Sequence, residues 1–259
     1  MNSANIPTGN QIISLPQIQE TTAGIQDITF LHMGYKGLID IRGDENEPLI
    51  RPFLQIGGVQ TPLKSLSWKQ LADRLGIYFD EQINNRLRGV SRMESLKIIL
   101  ENSKVIYTDS EKSKFAQEKN QDYRQLLVQM SPADLSAEVK DTLNALRKIG
   151  CKLAIGSSSK NAPYILERIG LKNYFDAVAD GNQIQYSKPN PQVFLLAAQQ
   201  LNLTPKSCLV VEDASTGIEA AVRGGFDAAG LGDARTCAAA KYHLTEFVEL
   251  REAVTRDDS

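Results

Sequence analysis

The chain has 259 residues, 42% of them hydrophobic, and a formal net charge of −2. That length suits one large domain or a core with a smaller module, and no apolar run is long enough to cross a bilayer. Acids and bases are interspersed, so there is no electrostatic footprint for nucleic acid or for an anionic membrane. Residues 1–24 are rich in Asn, Gln, Ser and Thr and lack the basic start and apolar core of a secretory signal. Cys151, Cys208 and Cys237 are widely spaced and odd in number. They match neither a disulfide framework nor a zinc cluster, which leads us to expect a reducing, cytoplasmic setting. His32 and His243 have no metal-ligand spacing, so a His-based nucleophile system is not expected.

Taken in order, residues 1–50 show no clean period; 25–31 and 38–41 are possible short strands. Residues 53–59 form a possible strand ending in a Gly-rich turn. From Trp68 the pattern is helical, with Trp68, Leu71, Leu75 and Ile77 on one face and Lys69, Asp73 and Arg74 on the other. Amphipathic helices are predicted at 92–100 and 112–130, so that 66–135 is expected to be an all-helical module. Beyond Ser131-Pro132 strands and helices alternate. Helices are predicted at 135–148, 161–169, 191–201, 217–223 and 246–254, and strands at 151–155, 175–179, 209–211 and 228–231. That alternation predicts a doubly wound parallel sheet with helices on both faces.

Three places fall at or beyond predicted strand ends, where open parallel sheets bind ligands. The first is Gly156-Ser157-Ser158-Ser159-Lys160-Asn161. Hydroxyls and backbone N–H groups there, at the start of a helix, can hold an anion; the plainer alternative is a Ser-rich loop with a cap at Ser159. The second is Ser187-Lys188-Pro189. A cation at a helix start opposes the dipole, so Lys188 requires an anionic partner unless it is a solvated surface residue. The third is Glu212-Asp213. Two adjacent acids at a sheet edge are costly to desolvate without a cation between them, although Asp213 could instead cap the helix that follows. A hydroxyl, a lysine and two acids on one sheet are the equipment of phosphoryl transfer.

From about Trp68 to the C-terminus the sequence resembles the haloacid dehalogenase superfamily. The stretches Leu87-Arg88-Gly89-Val90-Ser91-Arg92, Gln129-Met130-Ser131-Pro132-Ala133-Asp134 and Ser157–Pro163 resemble its beta-phosphoglucomutase branch. The resemblance implies a Rossmann-like core, 51–65 and 136–259, with the helical cap 66–135 inserted after the first strand and 1–50 as an extension. It implies that Ser157 and Lys188 hold the transferring phosphoryl group and that Arg92 grips a distal phosphate. It also implies that Lys119, Ser159, Lys160 and Asn161 contact sugar or phosphate, and that Glu212 and Asp213 serve Mg2+. The expected activity interconverts beta-glucose 1-phosphate and glucose 6-phosphate through a bisphosphate. The expected partner is a small hexose phosphate bound by a monomer, with no nucleic acid and no membrane.

The family's first motif, an apolar strand ending Asp-x-Asp-Gly-Val, supplies the nucleophile and the general acid/base. Here the best match is Gln55-Ile56-Gly57-Gly58-Val59, in which both aspartates are replaced. A second register, Leu38-Ile39-Asp40-Ile41-Arg42-Gly43, keeps Asp40 but puts Arg42 at the acid/base position. Two alternatives to an active mutase follow: a sugar-phosphate-binding protein without the nucleophile, and a phosphatase. Gln60-Thr61-Pro62-Leu63-Lys64 has a possible coding in which a one-base shift yields Thr-Asp-Thr-Ala-Glu, similar to what the family carries after Gly-Val. Gly34-Tyr35 and Arg42-Gly43-Asp44-Glu45 are similar to N-terminal motifs of disaccharide phosphorylases. A frameshifted or chimeric N-terminal segment would account for both.

Overall fold

The computed structural model describes the backbone of one N-terminal strand, β1 (Asp27–Leu31), and the chain from residue 62 to residue 254. The two registers proposed for the first motif, and with them Asp40, Gln55 and Gly57, lie outside the described residues.

Among the described residues, six parallel strands form one sheet. They are β1, β2 (Ala154–Gly156), β3 (Ala177–Ala179), β4 (Cys208–Glu212), β5 (Asp227–Leu231) and β6 (Tyr242–Leu244), in spatial order β3-β2-β1-β4-β5-β6. β1 takes the central place, pairing Leu31 with Ile155 on one side and with Val211 on the other. Its Asp27 is abreast of Cys208, at the opposite end of β4 from Glu212. The carboxyl end of this central strand therefore carries Phe30 and Leu31 rather than an acid.

Helices α1 (Pro62–Arg74), α2 (Glu81–Arg86), α3 (Arg92–Leu100) and α4 (Asp109–Leu127) intervene between β1 and β2. They are followed by α5 (Ala137–Lys148). Thereafter α6 (Ala162–Arg168), α7 (Gln192–Leu201) and α8 (Ser215–Arg223) alternate with strands, and α9 (Leu250–Ala253) closes the described chain. This is the doubly wound core with a helical cap that strand–helix alternation and the helical middle section predict.

The strand period sorts the side chains. On β4, Leu209 and Val211 enter one core cluster with Leu143, Leu146 and Leu166. Cys208 and Val210 enter a second with Phe194, Ala197 and Ile218. Both faces are covered, which explains why the strands read as unbroken apolar runs rather than alternating ones. Each fully buried Val or Leu contributes about 1.5–3 kcal/mol. The cap has its own cluster around Trp68, Leu71, Leu87, Leu96 and Ile99.

Helix α1 crosses the boundary expected at 65/66. Leu63 joins the core cluster beside Tyr123 and Leu127, whereas Trp68 and Leu71 join the cap cluster. The helix begins six residues before the expected Trp68, because Leu63 supplies an apolar position on the core side. β6 and α2 were not predicted. β6 has three residues with a single buried position, and α2 has only Ile83 buried, so neither leaves a legible period.

Candidate active site

The carboxyl ends of β2, β3 and β4 converge. Ser157 follows β2 directly and is buried; its N–H donates to Ala179 O at 2.9 Å. Its Oγ accepts from Ser159 N at 3.1 Å, and Ser159 Oγ in turn accepts from Asn161 N at 3.2 Å. The Ser-rich loop is thus wound on its own hydroxyls, and α6 starts at Ala162 with no side-chain cap. The cap anticipated for Ser159 is therefore not made to the helix itself.

Lys188 is 1% exposed, which removes the surface reading. Its Nζ donates to Gly156 O at 3.2 Å and to the Glu212 carboxylate, and stands 4.4 Å from the centroid of Phe194. The anionic partner that its place before α7 requires is Glu212. Burial pushes the lysine pKa down and the Glu212 pKa up, while the charge of each opposes the shift of the other. Glu212 also accepts from the Ala214 backbone. Gly217 is what lets the carboxylate fit, since a Cβ there would run into it.

Asp213 is buried as well and makes no cap: α8 has Ala214 at its N-cap and no side-chain cap bond. Its carbonyl accepts from Ala234 N at 3.0 Å. Its carboxylate is ion-paired with Arg88, whose guanidinium also reaches the Asp213 carbonyl at 2.9 Å and the Asp233 carboxylate. Burial pushes the Asp213 pKa up to about 7, with Arg88 opposing and Glu212 assisting. Burial works against the charge on Arg88, but Asp213 and Asp233 outweigh it and hold its pKa above the ordinary value.

Arg88 comes from the cap. It sits in the turn between α2 and α3, and its carbonyl accepts from Thr216 Oγ1 at 3.1 Å. The following Gly89 has φ +75°, and the space a Cβ would need is filled by Thr216. A second cap-to-core contact joins Asn161 Nδ2 to Asn120 Oδ1 at 2.9 Å.

Further cations line the cap side. Arg92 is the first residue of α3 and half-buried, where burial lowers its pKa and the helix dipole disfavours its charge. Lys119 is buried, with Nζ 4.6 Å from the Trp68 ring and 4.4 Å from the Tyr123 ring. Burial first, then the neighbouring charges of Lys64 and Arg92, push its pKa well down. Lys64 is pushed down to about 8, by burial and then by Arg88 and Arg92. Lys64, Arg88, Arg92 and Lys119 thus repel one another in one region. Lys160 departs from the expected set: its side chain is exposed, and its carbonyl accepts from Asn182 Nδ2 at 3.1 Å.

The geometry brings Ser157, Lys188, Glu212 and Asp213 to one sheet edge. It ties Ser159 and Asn161 to them through the loop, and sets Lys119 and Arg92 in the cap. Arg88, Lys64, Asn120, Thr216 and Asp233 were assigned no role from sequence. Only Arg88 carried a signal, its place beside Gly89-Val90-Ser91-Arg92.

A family model described as haloacid dehalogenase-like hydrolase matches residues 58–225. The chain belongs to this family. Among curated relatives it is 38% identical over 169 residues to a beta-phosphoglucomutase of Bacillus subtilis (strain 168), covering 64% of this chain and 75% of that protein. It is 32% identical over 168 residues to the fructose-1-phosphate phosphatase YqaB of Escherichia coli (strain K12), covering 64% and 86%. Among solved structures, a beta-phosphoglucomutase from Clostridium difficile superposes with a TM-score of 0.68 at 32% identity, covering 73% of this chain and 88% of that one.

The magnesium expected from the resemblance meets an obstacle in these residues. No group of three or more His, Cys, Asp or Glu side chains suited to a metal occurs among the described residues. Glu212 is paired with Lys188 and Asp213 with Arg88, so the four charges already sum to zero. A hard divalent cation wants several oxygens and uncompensated negative charge. As they stand, the described residues do not fit Mg2+. No helix among them is long and apolar enough to cross a membrane.

Proposed function

We propose that the chain binds a hexose phosphate between cap and core and handles its phosphoryl group in the manner of beta-phosphoglucomutase, interconverting beta-glucose 1-phosphate and glucose 6-phosphate. The observation that carries this reading is the set of mutually repelling cations Lys64, Arg92 and Lys119, set beside the Ser157 loop by the Asn120–Asn161 contact. Lys188 and the Ser157 loop stand on the core side, and Lys64, Arg92 and Lys119 on the cap side. Mutually repelling, partly desolvated cations call for a polyanion between them, and a sugar carrying phosphates at both ends satisfies both sides. In this reading Ser157 and Lys188 hold the transferring phosphoryl group and Arg92 holds the distal one, an arrangement suited to the planar guanidinium. Ser159, Asn161 and Lys119 position the sugar. Lys160, being exposed, would have to turn inward to take part. Closure of the cap excludes water and favours transfer back to sugar over hydrolysis. Were the family's expected magnesium bound, Glu212 and Asp213 would be its carboxylates and it would supply charge neutralisation at the phosphoryl group; here both are paired with cations instead.

A second reading, a sugar-phosphate-binding protein without the nucleophile, is favoured by one observation. The central strand β1 brings no acid to the sheet edge, its only carboxylate being abreast of Cys208. Covalent phosphoryl transfer needs such a carboxylate. The deciding assay follows conversion of beta-glucose 1-phosphate to glucose 6-phosphate with Mg2+ and a trace of glucose 1,6-bisphosphate. Turnover abolished by Asp213→Asn supports the mutase. No turnover, with glucose 6-phosphate still bound and weakened by Arg92→Ala, supports the binding protein. Release of inorganic phosphate in place of glucose 6-phosphate identifies a phosphatase and overturns both.

A further inference from the structure

The misfit between the carboxylate pair and a divalent cation has a specific structural cause, and it is a residue of the cap. Asp213 is 2% exposed and Arg88 10%, so their pairing is screened little by water. The guanidinium takes both the carboxylate and the carbonyl of Asp213 and extends to Asp233. Its backbone is anchored separately, by Thr216 at the start of α8 and by the close approach of Gly89 to the same threonine. The side chain is therefore delivered to Asp213 by a turn that the core itself grips.

Charge decides what else can bind there. With Lys188 on Glu212 and Arg88 on Asp213 the two buried carboxylates are already matched, and a divalent ion would meet only the half-exposed Asp233 as further negative charge, which is unfavourable. Removing Arg88 strips the Asp213 carboxylate, a hard oxygen donor, of its counter-ion and opens it to a divalent cation or a proton; the carbonyl still accepts from Ala234 N. We propose that Arg88 occupies the seat at Asp213 that a divalent cation would need, so that divalent binding and the Arg88 bridge from cap to core exclude one another. Arg88 is then an internal counter-ion and latch, and Asp233 is the strut that positions it. Release of the latch and capture of a divalent ion become one linked event. This holds whether or not the chain turns over a sugar phosphate.

The test uses the full chain and Mn2+ as probe, titrated by the loss of its free-ion electron paramagnetic resonance signal, with Mg2+ as competitor. Arg88→Gln is expected to tighten Mn2+ binding by about tenfold or more over the wild type, the scale on which neighbours of metal ligands act. Asp233→Asn, a change at a carboxylate 53% exposed, is expected to tighten it by a smaller factor, because it loosens the strut and leaves both acids in place. Adding Asp213→Asn to either variant is expected to remove the gain. Equal or weaker Mn2+ binding by folded Arg88→Gln overturns the proposal. Should Arg88→Gln fail to fold, unchanged Mn2+ affinity in Asp233→Asn overturns it just as well. So does a wild type that binds Mn2+ as tightly as either variant.

Discussion

At the scale of single residues, buried charge dominates. Lys188 and Glu212 are each 0% exposed at the side chain and face each other, so removing one strands the other. Lys188→Met is expected to cost about 3–5 kcal/mol in urea unfolding, whereas Lys188→Met combined with Glu212→Leu recovers most of that loss. A double mutant as unstable as the single would show that Lys188 acts through packing on Phe194 instead. Lys64 gives a pH signature. Its folded pKa is lowered to about 8 from 10.5, so between these values the unfolded chain binds more protons than the folded one. Stability contributed through this group therefore rises as pH climbs from about 8 to about 10.5. Lys64→Met is expected to flatten that rise in melting temperature measured against pH.

At the scale of elements, helix starts carry the arrangement. The first turn of α8 must approach the end of β4 closely enough that only glycine fits against Glu212. Gly217→Ala should cost about 1–3 kcal/mol through this overlap, although alanine is the better helix former. A stability gain in chemical denaturation would mean that the carboxylate can step aside. On α4 the start is secured differently. Thr108 and Glu111 form a reciprocal capping box, with Thr108 N–H donating to Glu111 at 2.7 Å. Thr108→Ala is expected to lower stability by about 1 kcal/mol, read by the same denaturation curve, with no effect on ligand binding at the sheet edge.

At the scale of the whole molecule, the cap has a hydrophobic cluster separate from the two that flank the sheet. Trp68, the only tryptophan of the chain, is fully buried in that cap cluster. Its fluorescence therefore reports cap unfolding, while far-UV circular dichroism reports all helices and strands. The two transitions in urea are expected not to coincide. Leu96→Ala, which empties a fully buried cap position, should shift the fluorescence transition by about 2–5 kcal/mol and the dichroism transition by less. Coincident transitions shifted equally would make cap and core one cooperative unit, joined through Leu63, Arg88 and Asn120.

The sequence by itself determined the core and which polar residues stand at the strand ends. The apolar run 209–211, the helix 92–100 and the glycine after 148 are local signals, and α3 has the predicted bounds. Glu212-Asp213, Lys188 and Ser157 were legible because strand ends announce themselves by a change from apolar to polar residues. What only the tertiary structure decided is who neutralises whom. Arg88 and Asp213 are 125 residues apart in the chain, and no period or motif links them; their pairing follows from a cap turn gripped by Thr216. The central strand was likewise undecided, because 25–31, 38–41 and 53–59 all offered apolar runs of suitable length. Strand pairing to both β2 and β4, a long-range condition, selected Asp27–Leu31.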